Sequence, residues 1–123
     1  MRKTSLIRRL MLASLATFSL GLAQAQGFPN KPVTLMVPYP PGGLSDVIAR
    51  TLNNTLSKQL GQPVIVENLG GASGGIAAQK VLNSPADGYM IFQGSPNELI
   101  LAPMANAAIK YKPEDFRLVQ MIT

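Results

Sequence analysis

Positions 33–43 read VTLMVPYPPGG, an apolar run of five residues followed by a turn that is rich in proline and glycine. A short and nearly continuous apolar run is typical of a strand that is buried on both faces, as in a parallel sheet. Pro38 stops the run, and the pair Gly42 and Gly43 separates it from the next segment. The sequence therefore predicts a buried strand over 33–37 that ends in a turn.

An amphipathic helix is predicted directly after this glycine pair. Ser45 or Asp46 can cap its start, whereas Gly61 and Pro63 suit its end. Apolar residues recur at steps of three and four, which places them on one face of a helix: Leu44, Val47, Ile48, Leu52, Leu56 and Leu60. We expect this face to be the buried one.

The same order of elements then repeats. A second strand is predicted over 64–67, a glycine-rich turn over 70–75, a short helix over 76–82 and a third strand over 89–93. Strands that alternate with helices are typical of βαβ units. The sequence therefore predicts an α/β fold with a parallel sheet.

The remaining segments have weaker signals. A short helix is predicted over 97–101, before Pro103, because proline does not continue a regular helix. Residues 104–113 are poorly patterned and are expected to form a loop. The apolar residues at 118–122 are predicted to begin a fourth strand.

The first 25 residues have the pattern of a secretory signal peptide. A cationic stretch over 1–9 precedes an apolar stretch over 10–22, and Ala23-Gln24-Ala25 has the small residues of a cleavage site. A retained membrane anchor is the alternative, but a spanning helix needs about 20 apolar residues. We therefore expect 1–25 to be removed and 26–123 to be exported to a bacterial periplasm.

The absence of cysteine and histidine excludes several kinds of chemistry. A disulfide framework, a Ser-His-Asp triad and the usual zinc sites all need one of these residues. The formal net charge of +5 owes much to the cationic leader, and the later charges of both signs are interspersed. A nucleic-acid-binding protein is expected to carry a basic patch. We therefore predict no catalytic residues, no metal site and no nucleic-acid partner.

The carboxyl ends of the predicted strands are the expected place of a site, because ligands of open α/β sheets collect there. The helix that follows each strand offers unpaired N–H groups and about half a positive charge at its N-terminus. Glycine lets the backbone approach a ligand closely. We predict that a small carboxylate binds at two such turns: Gly42, Gly43, Ser45 and Asp46 in the first, and Gly71, Ala72, Ser73, Gly74 and Gly75 in the second.

Each of these residues also has a purely structural interpretation. The glycines can simply permit tight turns, and Asp46 can cap the helix. Tyr39 is predicted to line the pocket but can pack beneath the loop, and Ser95 can hydrogen-bond to ligand or form a turn. The turn GGASGG lacks the G-x-G-x-x-G spacing of a dinucleotide site, so no cofactor is predicted.

A series of short motifs stands in a fixed order along the chain: P-x-KPVTL-x-VPYPPGG at 29–43, SD at 45–46, AR at 49–50, LGQPV at 60–64, VEN at 66–68, GGASGG at 70–75, DGY at 87–89, GS at 94–95 and YKPEDF at 111–116. Each motif is weak alone. Their ordered combination resembles the Bug-type (TctC-like) solute receptors of tripartite tricarboxylate transporters. Leu69 departs from the family, which often has Arg or Lys there.

This resemblance implies a fold and a function. Such receptors are hinged, two-domain periplasmic binding proteins of the three-layer, type II-like fold. It implies that residues 26–123 are the N-terminal part of the first domain, with the strand over 33–37 between the other two, and that the second domain is absent. It also implies a receptor, not an enzyme, that captures a small carboxylate for the permease subunits of its transporter.

Two other hypotheses remain. The chain can be a free-standing secreted α/β module that binds a small anion without a role in transport. It can also be a small exported enzyme, which the lack of histidine and cysteine disfavours.

Overall fold

A computed structural model describes residues 27–122 of the chain, so the predicted signal peptide lies outside the described residues. One sheet is formed by three parallel strands: β1 (Val33–Val37), β2 (Val64–Asn68) and β3 (Met90–Phe92). Their order is β2-β1-β3, which places β1 between the other two. The predicted α/β fold and its strand order are confirmed.

Two helices cover the sheet, α1 (Leu44–Leu60) and α2 (Gly75–Leu82). The chain passes from β1 to β2 through α1, and back past β1 to β3 through α2. Right-handed crossovers are nearly universal in parallel sheets, so these opposite directions place the two helices on opposite faces. The result is a layered order of helix, sheet and helix.

The side chains of β1 are buried on both faces of the sheet. Val33, Leu35 and Val37 form a core cluster with Ala49 of α1. Met36 points to the other face and is fully buried as well. Burying one such side chain stabilises the fold by about 1.5–3 kcal/mol. The continuous apolar run therefore reflects a strand with two covered faces, as predicted.

The predicted apolar face of α1 is wrong at the first two turns. Leu44 is 78% exposed and Val47 is exposed as well, whereas Asp46 and Ala49 are buried. Further along, Leu56 packs against the core as expected. At the start of the helix, polar contacts of Asp46 decide which face turns inward, and the spacing of apolar residues does not show them.

A helical segment passes through Pro103, where the sequence predicts a stop. The π-helical turn Asn97–Leu101 continues directly into α3 (Ala102–Ala105). In this wider turn the carbonyl of Glu98 would face the missing N–H of Pro103, and it accepts a hydrogen bond from Tyr111 Oη at 2.6 Å. A donor from outside the helix thus replaces the proline N–H.

The predicted fourth strand is not formed. A short 3₁₀ turn, Pro113–Asp115, precedes the segment 118–122, which pairs with no strand of the described sheet. Its apolar side chains are exposed, with Leu118 at 81%. An extended segment becomes a strand only when a neighbour supplies hydrogen-bond partners. Between residues 27 and 122, no helix is long and apolar enough to cross a membrane.

Candidate functional site

The loops that follow the strands lie side by side at the carboxyl edge of the sheet. Val37, the last residue of β1, pairs with Asn68, the last residue of β2. Asn68 Nδ2 donates to Tyr39 O at 3.1 Å, which ties the first loop to the second strand. Gln93 Nε2, just after β3, donates to Ser45 O at 3.0 Å. The two predicted turns therefore share one edge with the loop after β3.

Asp46 is an internal anchor of the first turn, and the residue is only 3% exposed. Its Oδ2 accepts hydrogen bonds from Gly42 N and Arg50 Nε, both at 2.9 Å, and its Oδ1 accepts one from Asn68 Nδ2 at 3.0 Å. The N-cap position is Gly43 and no side chain caps it, so the predicted cap by Ser45 or Asp46 is wrong. Asp46 is the third residue of the helix and instead holds the loop in front of it through Gly42. These contacts favour an internal structural role of Asp46 over direct ligand contact.

The same contacts keep Asp46 ionised. The hydrogen bond from Arg50 is the main reason that the pKa of Asp46 is lowered to about 2, and those from Gly42 and Asn68 lower it further, against the opposing effect of burial. Asp46 in turn raises the pKa of Arg50. Arg50 is the cation nearest to this turn in the sequence, and its charge is already matched by an internal anion.

The first turn offers fewer amide donors than the sequence predicts. Gly42 has a φ of +87°, and its N–H is used by the anchor just described. Gly43 has an ordinary φ of −79°, and a Cβ there would meet only Pro40 O, at 3.7 Å. The N–H groups of Gly43, Leu44 and Ser45 lie at the start of α1, where the helix supplies no acceptor for them.

The second turn is conformationally strained. Gly71, Ala72, Ser73 and Gly74 have successive φ values of +120°, +47°, +52° and +84°. For Ala72 and Ser73 this left-handed conformation costs on the order of 1–3 kcal/mol each. Gly74 N donates to Gly71 O at 2.9 Å and closes the turn in front of α2. Strain of this kind clusters at ligand-binding turns, which marks this segment as a candidate contact.

Gly74 is buried against a carboxylate that sequence reasoning missed. A Cβ at Gly74 would collide with Glu98 Cγ and lie 3.0 Å from Pro38 Cβ. Glu98 is fully buried; its Oε1 accepts a hydrogen bond from Tyr39 Oη, and its Oε2 accepts one from Ser95 N at 2.6 Å. The available signal was a single acidic residue, Glu98, directly before the apolar residues 99–101 of the predicted helix.

Tyr39 and Ser95 both make internal contacts. Tyr39 packs against the core cluster, and its hydrogen bond to Glu98 is the main cause of the raised pKa of Tyr39. Ser95 Oγ accepts a hydrogen bond from Asn97 N at 3.2 Å, which is the local contact expected of a turn serine. The observed contacts therefore support the structural interpretation of both residues. A contact with ligand would come in addition to these internal hydrogen bonds.

A shallow groove of about 670 Å³ lies beside α2 and shares Ala72 and Gly75 with the predicted site. Its other walls include Gln79, Asn83 and Ile109. A good small-molecule site buries about 70–90% of its ligand, which an open groove does not do. Within residues 27–122, no group of three or more acidic side chains could hold a metal ion. The edge with the two turns therefore remains the better candidate.

The sheet order and the helix layers match solved α/β structures of the periplasmic-binding-protein class. MatC from Rhodopseudomonas palustris, solved with bound malate, matches with a TM-score of 0.68 and 36% identity, over 72% of this chain and 31% of MatC. Another R. palustris protein, solved with adipate, matches with a TM-score of 0.61 and 37% identity, over 71% of this chain and 29% of its own.

Sequence comparison then identifies the family. Residues 48–123 match the tripartite tricarboxylate transporter family receptor, TctC, and the chain belongs to this family. The family consists of solute-binding proteins rather than enzymes. The Bug-type resemblance is confirmed.

Two curated relatives illustrate the match. The UPF0065 protein in the TAR-I ttuE-ttuC' intergenic region of Agrobacterium vitis is 43% identical over 110 residues, or 88% of this chain and 32% of that protein. Protein BugT of Bordetella pertussis is 41% identical over 100 residues, or 80% of this chain and 31% of BugT. The chain thus spans about a third of the length of these relatives.

Proposed function

We propose that this chain forms the ligand-capturing part of an extracytoplasmic receptor that delivers a small carboxylate to the permease subunits of a tripartite tricarboxylate transporter. The proposal rests on one observation. Two turns, each directly before a helix, lie side by side at one edge of the sheet. Both helix N-termini attract negative charge, and the residues between strand and helix present backbone N–H groups. The receptor has no catalytic role.

The carboxylate is held mainly by backbone N–H groups. At the first turn, Gly43, Leu44 and Ser45 supply them, since the N–H of Gly42 is bonded to Asp46. At the second turn, the N–H groups of Gly74 and Gly75 are bonded to Gly71 O and Ala72 O, so the donors are those of Gly71, Ala72 and Ser73. Arg50 and Lys80 are already paired with Asp46 and Glu67, so neither has an unmatched charge to offer an anion.

The first ligands to test are dicarboxylates. MatC was solved with malate and a second structural neighbour with adipate, and both acids have two separated carboxylates. Two helix N-termini at one edge of the sheet suit such a charge distribution. We also propose that 1–25 is a cleaved signal peptide and that 26–123 acts in the periplasm as the N-terminal α/β portion of the first ligand-binding domain.

The binding mode can be tested by removing a single N–H group. Leu44 is the first residue of α1 and is highly exposed, so proline fits there and deletes the N–H with little loss of packing. In isothermal titration of the full-length receptor with malate and adipate, Leu44→Pro should weaken binding about tenfold, the effect of one charge-assisted hydrogen bond.

Leu44→Ala is the matched control, because it removes the same side chain and keeps the N–H. Its affinity should stay within about twofold of the wild type. Equal affinities of the proline and alanine variants would contradict the proposed amide contact. If neither a dicarboxylate nor a tricarboxylate binds the wild-type receptor, the proposed ligand class is wrong.

A further inference from the structure

The buried side chain of Glu98 touches all three loops at the carboxyl edge of the sheet. It accepts the hydroxyl of Tyr39 from the loop after β1 and the N–H of Ser95 from the loop after β3. Its Cγ lies against Gly74 in the turn after β2. We infer that Glu98 is a positioning residue that sets the relative places of the three loops in the proposed carboxylate site.

A buried carboxyl group is unusual at a position that needs only to be filled by packing. Glu98 is fully buried, and among the described residues no Lys or Arg forms an ion pair with it. A buried carboxylate is costly unless its oxygens are hydrogen-bonded. Here each oxygen has one donor, and the two donors, Tyr39 and Ser95, come from different loops. One buried carboxyl group therefore binds donors from two different loops, and losing either bond would leave a buried polar group unpaired.

The backbone of Glu98 is fixed as well. Its carbonyl accepts the hydroxyl of Tyr111, which replaces the N–H that Pro103 lacks. The side chain therefore extends from a held helical segment into the space between the loops. Because its backbone is held in this way, the carboxylate of Glu98 has a defined position relative to the helical segment.

The absence of a side chain at Gly74 allows the third contact. Gly74 ends the strained turn and directly precedes α2, whose N-terminus is one of the two proposed anion sites. Contact with Glu98 at this point sets the start of α2, while the bond to Tyr39 sets the loop that leads into α1. Glu98 does not itself contact ligand, since it is fully buried and both its oxygens are engaged.

The effect of Glu98 on ligand binding rests on the proposed function. The effect of Glu98 on the positions of the loops can be tested without any ligand. Hydrogen–deuterium exchange is measured on the full-length receptor and on Glu98→Ala, Glu98→Gln and Tyr39→Phe. In Glu98→Ala, the hydrogen-bonded amides of the three loops, Gly42, Gly74 and Ser95, should exchange about tenfold faster, as expected for the loss of a buried hydrogen bond. Amides of β1 should be unchanged.

The conservative variants separate positioning from general destabilisation. In Glu98→Gln the amide oxygen still accepts the N–H of Ser95, and the amide nitrogen can donate to the Tyr39 oxygen, so exchange should rise no more than about threefold. Tyr39→Phe should loosen the loop at 39–45 alone. Glu67→Ala, which breaks a half-exposed pair with Lys80, is the control and should leave all three loops unchanged.

Two exchange results would overturn the inference: unchanged loops in Glu98→Ala, or equally faster exchange in the loops and in β1, which would show only a less stable fold. Where the alanine variant does not fold, the glutamine and phenylalanine variants decide. Malate titration is the second measurement, in which Glu98→Ala should bind about tenfold more weakly and Glu98→Gln less than about threefold.

Tighter malate binding by Glu98→Gln with unchanged loops would overturn the inference in another way, because Glu98 would then act by charge repulsion. If the wild type binds neither malate nor adipate, the proposed function fails for these ligands. The exchange experiment still decides the role of Glu98 in that case.

Discussion

Arg50 Nε lies 2.9 Å from Asp46 Oδ2, one turn earlier on the same helix, and Arg50 Nη2 reaches Asn68 Oδ1 at 3.2 Å. This cation therefore joins the start of α1 to the end of β2. The charge of Arg50 is matched by Asp46 and helps to order these loops. We therefore expect recognition at this edge to depend on N–H groups and helix dipoles.

The Asp46 anchor predicts a specific loss of stability in acid. The folded-state pKa of about 2 lies below the ordinary value of 3.8, so the unfolded chain binds the proton more readily. The stabilising contribution is fully present above 3.8 and is lost as the pH falls towards 2. Urea unfolding at a series of pH values should show the wild type losing its advantage over Asp46→Asn in this window.

The control for this prediction is Asp87→Asn, which removes a carboxylate from the exposed pair with Lys31. That variant should keep the acid dependence of the wild type between pH 3.8 and 2. A wild-type advantage over Asp46→Asn that stays constant across the window would contradict the role of the Asp46 anchor.

Gly74 should tolerate no side chain. Gly74→Ala brings its Cβ into Glu98 and imposes a positive φ on alanine, so we expect a loss of about 3 kcal/mol in the free energy of unfolding. Gly42→Ala is the matched control, since Gly42 has a similar φ of +87° but nothing within 4 Å of a new Cβ. Its loss should be only about 1 kcal/mol. Equal losses in urea unfolding would show that the contact with Glu98 does not matter.

Tyr111 and Pro103 should be energetically coupled. Tyr111→Phe leaves the buried carbonyl of Glu98 without a donor, which should cost about 1–3 kcal/mol in unfolding free energy. Pro103→Ala restores an N–H in the helix, so it should recover part of this loss in the double variant. A double-mutant cycle measures the coupling. Strictly additive effects would mean that the hydroxyl does not replace the proline N–H.

Lys80 should be unimportant for binding. It pairs with Glu67 at a half-exposed position, and such surface pairs contribute about 0–1 kcal/mol. Lys80→Ala should therefore change the affinity for malate by less than about twofold in isothermal titration. Loss of binding in this variant would show that a lysine, and not the backbone of the turns, holds the carboxylate.

Local patterns were sufficient to predict the framework. The apolar run at 33–37 predicted a strand covered on both faces, and the glycines at 42–43 and 70–75 predicted the turns before the two helices. Both inferences depend on neighbours within a few residues. The parallel sheet followed from the alternation of strands and helices, whereas the position of β1 between the other strands followed from the family resemblance.

The contacts that organise the site could not be predicted in the same way. Glu98 lies 59 residues from Tyr39, and only the folded chain brings the two side chains together. Leu44 looked like a core residue because its spacing suited the apolar face, but the bonds of Asp46 turn the helix so that Leu44 is exposed. Long-range polar contacts thus determine which side chains are buried at the site, and sequence periodicity does not show these contacts.

The exposure of the first turn has a consequence for how the proposed carboxylate site can diverge. Gly43 and Leu44 have room for other side chains, so mutations there alter the surroundings of the backbone donors while preserving the donors themselves. Gly74 and Glu98 are packed against each other and have no such freedom. A library of random variants selected for a new acid should therefore accumulate its changes at 43–45 and avoid 74 and 98. Positions that can change ligand specificity are thus separate from positions that packing holds fixed.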